Sequence, residues 1–122
     1  MARKTANAAQ ALSDRARDLP ILLQRLALLI VADLQGRTDG NFFADCYIRE
    51  YAPLRRRVAS GERSEEYAAV YAEELNFLKA VFDACEEAKT GRLGCEDLNA
   101  RVEACVRRYL RTDAPRSARF TL

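Results

Sequence analysis

The sequence predicts an all-α fold, a four- to five-helix bundle with a buried central helix. Apolar residues recur every three to four positions along nearly the whole chain, and no stretch keeps the period of two that marks a strand. Five glycines and three prolines leave room for few turns. The length of 122 residues, 49% of them hydrophobic, suits one globular domain with a single core. We assign residues 1–111 to that domain and 112–122 to an extended tail.

The first predicted helix runs from about Lys4 to Arg17 and is alanine-rich. Its apolar side is weak, so we expect it to be loosely held against the rest of the bundle. The positions on that side are Ala9, Leu12, Ala16 and Leu19.

The second predicted helix is the most apolar segment of the chain. Asp18 is a candidate N-cap, Pro20 falls near the first turn and Gly36 lies just past the end, which is the usual arrangement of helix start and stop signals. Leucine, isoleucine and valine lie around almost its whole circumference. This pattern predicts a central helix buried on every side, or one partly used as an oligomer seam. The segment is shorter than the roughly 20 apolar residues that span a bilayer, so we expect no membrane helix.

Three further helices follow the turn at residues 38–41. The third runs from about Phe42 to Ala59, with a kink expected at Pro53. The fourth starts at a Ser64 cap and ends before Gly91. The fifth covers about 95–111. Their predicted inner positions are Phe43, Cys46, Tyr47, Tyr51, Leu54 and Val58, then Ala68, Tyr71, Leu75, Leu78, Phe82 and Cys85, then Leu98, Val102, Cys105, Val106 and Tyr109.

The composition argues against catalysis. The chain has no histidine, which removes the commonest general base and a common metal ligand. No glycine-rich phosphate loop, G-x-S-x-G elbow or H-E-x-x-H motif is present. No two cysteines have the spacing of a zinc site, so we interpret them as core residues in a reducing cytosol. They are Cys46, Cys85, Cys95 and Cys105. The sequence therefore predicts no catalytic residue, no metal and no cofactor.

Charge is unevenly distributed along the chain. Residues 1–61 carry ten basic against six acidic groups, residues 62–89 three against eight, and residues 90–122 seven against four. Seventeen of the twenty basic residues are arginine, whose planar fork fits phosphate and carboxylate. On the third and fifth helices the arginines form stripes beside the predicted core faces. The alternative is that these stripes are solvated helix faces, partly neutralised by pairs such as Asp45 with Arg49.

We predict that the arginine stripes contact a nucleic-acid backbone and that carboxylates of the fourth helix contact a basic protein neighbour. The candidate nucleic-acid-binding residues are Arg49, Arg55, Arg56, Arg57, Arg101, Arg107, Arg108 and Arg111. The candidate partner-binding residues are Glu65, Glu66, Glu73, Glu74, Glu86 and Glu87.

Two short runs resemble a known family. Leu22-Leu23-Gln24-Arg25-Leu26 and Leu93-Gly94-Cys95-Glu96-Asp97 are similar, in order and rough spacing, to runs in the C-terminal helical part of the type I-C large subunit of CRISPR surveillance complexes. A separate small subunit can be translated from that part, and the chain as a whole looks like the small subunit of Cascade-type complexes. The resemblance implies a cytoplasmic, non-catalytic subunit. Such subunits stack side by side with copies of themselves, bridge the backbone subunits and hold the displaced single DNA strand.

Two other interpretations stay open. A cytosolic protein–protein interaction module, such as a secretion chaperone, a toxin-neutralising partner or an anti-defence inhibitor, can also be a small helical bundle. A small enzyme that uses only arginine and glutamate is the third. Salt-dependent binding to single-stranded nucleic acid separates the first interpretation from these two.

Overall fold

The computed structural model describes residues 2–59 and 69–111. This part of the chain forms helices and no strand, so the predicted all-α fold is confirmed. The helices are α1 (Ala2–Ala16), α2 (Ile21–Leu34), α3 (Gly40–Ala59), α4 (Ala72–Lys89) and α5 (Cys95–Arg111). The predictions for the tail at 112–122, for the Ser64 cap and for the loop before it concern residues outside the described ranges.

Consecutive helices run antiparallel and close into a ring. Lys89 at the end of α4 contacts Asp45 near the start of α3, and Tyr109 near the end of α5 contacts Glu74 near the start of α4. The ends of α1 and α5 also meet, because Arg15 Nη1 donates to the Tyr109 carbonyl oxygen at 3.4 Å. The helix α2 packs against all four of the others. One apolar core fills the ring.

The prediction that α2 is the central helix is confirmed, because it packs against all four others, but it is not buried on every side. Its inner face is fully enclosed, with Leu23, Leu26 and Ile30 at 0% exposure. Its outer face carries Ile21 at 61% exposure and Leu28 at 45%. Four neighbouring helices cover the inner side of α2, and no described element packs over the outer side. The apolar pattern alone could not tell which side of the helix would be covered.

The prediction that α1 is loosely held is also wrong. Ala9 and Leu12 are fully buried, and Ala16 is 1% exposed. Alanine presents little bulk, so α1 can pack closely on α2 and α5 with a narrow apolar face. The buried side of α1 therefore belongs to the single apolar core.

Glycines end two of the helices as predicted. Gly36 and Gly91 adopt positive φ values of 75° and 81°. After α2, the Arg37 N–H donates to the Ala32 carbonyl and the Gly36 N–H to the Asp33 carbonyl, each at 3.0 Å. This is a Schellman motif, which needs a left-handed residue that glycine adopts without steric cost. The same pair of hydrogen bonds follows α4 around Gly91.

The start of α2 differs from the prediction. Pro20 occupies the N-cap position, and no side chain forms a capping hydrogen bond there. Asp18 lies too far upstream to be the N-cap. Asp18 instead closes the turn after α1, where its N–H donates to the Arg15 carbonyl at 3.4 Å. Gln24 Nε2 ties the two helices together by donating to the Ala16 carbonyl at 3.0 Å.

The remaining inner positions are largely confirmed. All the predicted α3 positions whose side chains are described are buried, and so are Leu78, Phe82 and Cys85 on α4. Tyr71, at φ −113° and ψ 28°, is the N-cap of α4 and separates it from the helical residues 69 and 70. The bounds of α5 match the prediction, and Cys105 is half-buried rather than buried.

Candidate functional site

A groove of about 630 Å³ lies between the antiparallel helices α4 and α5. Its floor is mostly apolar, and Glu73 and Asn76 line it from α4. The residues that line it from α5 follow three–four spacing, which places their side chains on one side of the helix. They include Arg101, Ala104, Cys105, Arg107, Arg108 and Arg111. The structure therefore brings the four predicted α5 arginines to one groove.

The four arginines differ in their partners. Arg101 Nη1 lies 3.0 Å from Glu87 Oε2, and Arg107 Nη2 lies 2.9 Å from Glu103 Oε2. Arg108 and Arg111 are exposed, and within residues 2–59 and 69–111 no carboxylate pairs with either of them. Two guanidinium groups at the groove are thus available to an external anion.

The aromatic rings beneath the groove are not available to a ligand. Phe77 stacks on Tyr109 with ring centroids 4.6 Å apart and planes 3° apart. These side chains are only 7% and 4% exposed. Proteins that stack nucleobases expose aromatic faces for that purpose. The groove can therefore contact a phosphate backbone, and it has no platform for reading bases.

The α3 arginines form a second surface. Arg49, Arg55 and Arg56 are exposed, and the Arg55 guanidinium carbon lies 5.7 Å from the centroid of the Phe82 ring. Arg57 falls outside the described side chains. The interpretation that Asp45 pairs with Arg49 is wrong, because the antiparallel packing of α3 on α4 brings Lys89 Nζ to 2.5 Å from Asp45.

The two arginine surfaces lie on different sides of α4. Arg55 packs on Phe82 and Arg101 pairs with Glu87. Residues 82 and 87 point about 140° apart around a helix with 3.6 residues per turn. Between them runs an exposed strip of α4 with Asp83 and Glu86. The predicted stripes are therefore two separate surfaces with acidic side chains between them.

Glu74 does not belong to the predicted set of partner-binding residues, because it is buried. Its residue exposure is 1%, so it cannot meet a protein neighbour. Tyr109 Oη donates to Glu74 Oε2 at 2.6 Å, and the Arg15 guanidinium lies 4.6 Å from the centroid of the same tyrosine ring. Glu74 sits four residues before Leu78 and seven before Val81. That spacing places it on the apolar seam of α4, and it is the sequence signal that could have identified it.

The other predicted partner-binding carboxylates are divided. Glu86 is exposed, Glu73 lines the groove, and Glu87 is engaged by Arg101. Glu65 and Glu66 lie outside the described residues. Of the six, Glu86 is the most accessible described candidate for a contact with another protein.

Asp33, near the end of α2, is a buried carboxyl. It is 6% exposed, and burial raises its pKa from 3.8 to about 6. The Thr38 hydroxyl donates a hydrogen bond to Asp33 Oδ1 at 3.5 Å, and this bond acts to lower the pKa. With the Asn99 amide oriented so that its nitrogen faces Asp33, this nitrogen lies 3.1 Å from Oδ2 and 3.3 Å from Oδ1. The cluster joins the end of α2 to the start of α5.

The described cysteines are free thiols. Burial raises the pKa of Cys85 to about 12. Burial also raises the pKa of Cys105, while the Arg101 and Arg108 guanidinium groups act in the opposite direction. At neutral pH both thiols are protonated, so neither is an activated nucleophile. Among the residues with described positions, no three metal-binding side chains come together.

No protein-family model, curated protein sequence or solved structure matches this chain. None of the helices in the described part is both long and apolar enough to cross a membrane.

Proposed function

We propose that this protein is a non-catalytic subunit of a nucleoprotein assembly and that it holds single-stranded nucleic acid at the α4/α5 groove. The observation that carries the proposal is the pair Arg108 and Arg111. Both are exposed on one wall of the groove, and no carboxylate in the described part of the chain neutralises them. Arginine forks bind phosphate oxygens without reference to base sequence.

Arg101 and Arg107 can also bind phosphate, although each of them forms an ion pair with a carboxylate. The side chains of Arg101 and Glu87 are 46% and 39% exposed, and those of Arg107 and Glu103 are 36% and 31% exposed. Exposed pairs of this kind contribute about 0–1 kcal/mol, so a phosphate can replace the carboxylate at little cost. The four arginines span about 15 Å of α5 at 1.5 Å per residue. This length suits a few nucleotides of backbone.

The charge and burial of the groove favour a backbone contact along α5. Arg101, Arg107, Arg108 and Arg111 all line the groove from α5, so the positive charge that attracts a strand lies along this helix. The buried floor offers no exposed ring for a base. Binding should therefore be independent of sequence and sensitive to salt.

The resemblance to Cascade-type small subunits supplies a setting for this activity. In that setting the protein works in the cytoplasm, holds a displaced strand and bridges neighbouring subunits. The α3 arginines, on the other side of α4, are then candidates for a contact with an acidic neighbour, and Glu86 for a contact with a basic one. Antiviral defence is the biological role that this part of the proposal implies.

The experiment that tests the proposal is the binding of a labelled oligothymidylate by fluorescence anisotropy across a series of salt concentrations. For single strands, log K falls against log salt with a slope of about 0.7 per phosphate contact, so four arginines give a slope near −3. The double variant R108A/R111A should reduce the slope by about 1.4 and weaken binding at low salt.

The matched control is R25A/R37A, which removes two exposed arginines from α2 and the turn after it. It carries the same change in net charge and should keep the wild-type slope. Absence of binding at low salt, or equal losses in the two double variants, would contradict the proposal.

A protein-only interaction module is the second candidate. It is favoured by the mostly apolar floor of the groove and by exposed large apolar residues such as Ile21 and Phe42, at 61% and 56%. A chain that binds no single strand at low salt and captures a defined protein through the groove would support this candidate instead.

A further inference from the structure

The outer face of α3, opposite its buried side, carries an aromatic ring and two arginines in line. Phe42, Arg49 and Arg56 follow one another at intervals of seven residues. They therefore point nearly the same way around the helix, about 10 Å apart along its axis. All three are exposed, Phe42 at 56%. We call these three residues the α3 outer face.

Phe42 differs from the other aromatic side chains of the bundle. Among those whose burial is described, it is the only exposed one. Its backbone is fixed at the start of α3, because the Phe42 N–H donates to Asp39 Oδ1 at 2.8 Å. Phe42 is therefore the kind of stacking platform that the α4/α5 groove lacks.

The two arginines of this face can bind an external anion. Within residues 2–59 and 69–111 no carboxylate pairs with Arg49 or Arg56. Asp45, one turn before Arg49, is engaged by Lys89 from α4. Arg49 Nη2 lies 3.6 Å from the Cys46 sulfur, a weak acceptor that a phosphate oxygen can replace.

We infer that the α3 outer face binds a segment of single-stranded nucleic acid, with a base stacked on Phe42 and the backbone running past Arg49 toward Arg56. Single-strand sites combine cationic side chains that follow the backbone with aromatic rings on which bases stack. The carboxylate of Asp39 lies beside Phe42, so the phosphate contacts fall to the two arginines further along α3. The inference rests on the proposed function and extends it to a second surface.

The chemistry of this face favours a strand over an acidic protein. The core of a protein interface consists of several buried apolar and aromatic side chains, and this face offers one large apolar side chain among charges. A nucleotide needs only one ring and one cation. The acidic neighbour of the α3 arginines is then a strand.

The strand on α3 is separate from the one in the groove. Asp83 and Glu86 on α4 lie between the two arginine surfaces. These carboxylates repel phosphate, so a strand follows α3 instead of crossing α4 to reach the groove. Each contact can therefore be removed without the other.

The test uses the full chain carrying R108A/R111A, which removes the exposed arginines of the groove, and follows a labelled oligothymidylate by fluorescence anisotropy at low salt. In this background F42A and F42L should each weaken binding at least about fivefold, and F42W should preserve it, because a base stacks on a ring and not on leucine. An abasic strand of the same length should bind the F42W chain as weakly as the oligothymidylate binds F42A.

The salt dependence separates the arginines from the ring. In the same background R49A/R56A should reduce the slope of log K against log salt by about 1.4, whereas F42A should leave it unchanged. The matched control R25A/R37A removes two exposed arginines elsewhere and should keep both the affinity and the slope.

Tryptophan fluorescence reports directly on stacking. The chain has no tryptophan, so F42W introduces a single reporter at the proposed contact. Oligothymidylate should quench its emission, and the abasic strand should quench it far less. The control I21W places a single tryptophan at a position on α2 that is 61% exposed, and neither strand should quench it.

Three results would overturn the inference: F42L binding as tightly as F42W, equal quenching of F42W and I21W, or polyglutamate binding as tightly as the oligothymidylate, which would assign the face to an acidic protein. The groove is judged by R108A/R111A in the otherwise unchanged chain. If this double variant keeps the wild-type slope while F42W is still quenched, the groove contact fails and the α3 contact stands. The reverse outcome leaves the groove and removes the α3 contact.

Discussion

Asp33 should make the stability of the fold depend on pH. Its pKa is about 6 in the folded chain, against 3.8 for an ordinary aspartate, a rise of about two units. At about 1.36 kcal/mol per unit, ionised Asp33 costs up to about 3 kcal/mol relative to its protonated form. Because the folded pKa is the higher one, the stabilising contribution is complete below pH 3.8 and is lost as the pH rises through about 6.

The substitution D33N isolates this effect. Asparagine has nearly the same shape, keeps an acceptor oxygen for Thr38 and does not titrate. Near pH 4 the variant and the wild type should have similar free energies of unfolding. At pH 7 the variant should be more stable, by up to about 3 kcal/mol. Urea denaturation followed by circular dichroism, from pH 4 to 7.5, measures both values.

Asn99 provides a second arm of the same experiment. Its amide donates to the carboxylate and so favours the ionised form. The substitution N99A should raise the pKa of Asp33 further and lower stability at pH 7 more than at pH 4. The control D83N changes an aspartate whose side chain is 52% exposed and should leave the pH profile as it is. A constant difference between the wild type and D33N across the pH range would refute the reasoning.

Three further outcomes test the packing. The substitution Y109F removes a 2.6 Å hydrogen bond to a buried carboxylate and should cost about 1.5–3 kcal/mol of unfolding free energy, whereas Y47F removes a 2.7 Å bond to a backbone carbonyl and should cost about 0.5–1.5 kcal/mol. Equal losses would show that the charged acceptor has no special effect. The substitution L12A should lower the unfolding free energy by about 2–5 kcal/mol, because this side chain is fully buried. The control Q10A, on the exposed side of α1, should lower it by less than about 0.5 kcal/mol. A small loss for both variants would mean that the packing of α1 contributes little to stability. Cys85, with its buried thiol, should resist alkylation at neutral pH until the chain is denatured, and peptide mass spectrometry that finds it modified in the native protein would contradict its burial.

The helices themselves could be predicted well from local signals. Gly36 and Gly91 mark the ends of α2 and α4 because each helix end requires a residue with positive φ, a requirement that is met within a few residues of chain. The bounds of α5 and its buried positions also follow from periodicity. The start of α2 was harder, since Asp18 and Pro20 are both acceptable start signals and the turn after α1 decided between them.

The partners of the charged residues could not be predicted in the same way. Asp45 has a plausible partner in Arg49 one turn away, and the structure gives it Lys89 from another helix. Sequence spacing identifies which residues of one helix are neighbours. It carries no information about which residue of a second helix comes within reach.

The sequence by itself determined the all-α class, the single core and the set of arginines on α3 and α5, because each depends on side-chain direction around one helix axis. Tertiary structure decided which of those directions are covered. It buried Glu74 beside Tyr109, left Ile21 exposed on the most apolar helix, and separated the arginines into two surfaces with α4 between them. The physical reason is that burial and pairing depend on what stands opposite a side chain, and the neighbour is fixed only when the helices pack.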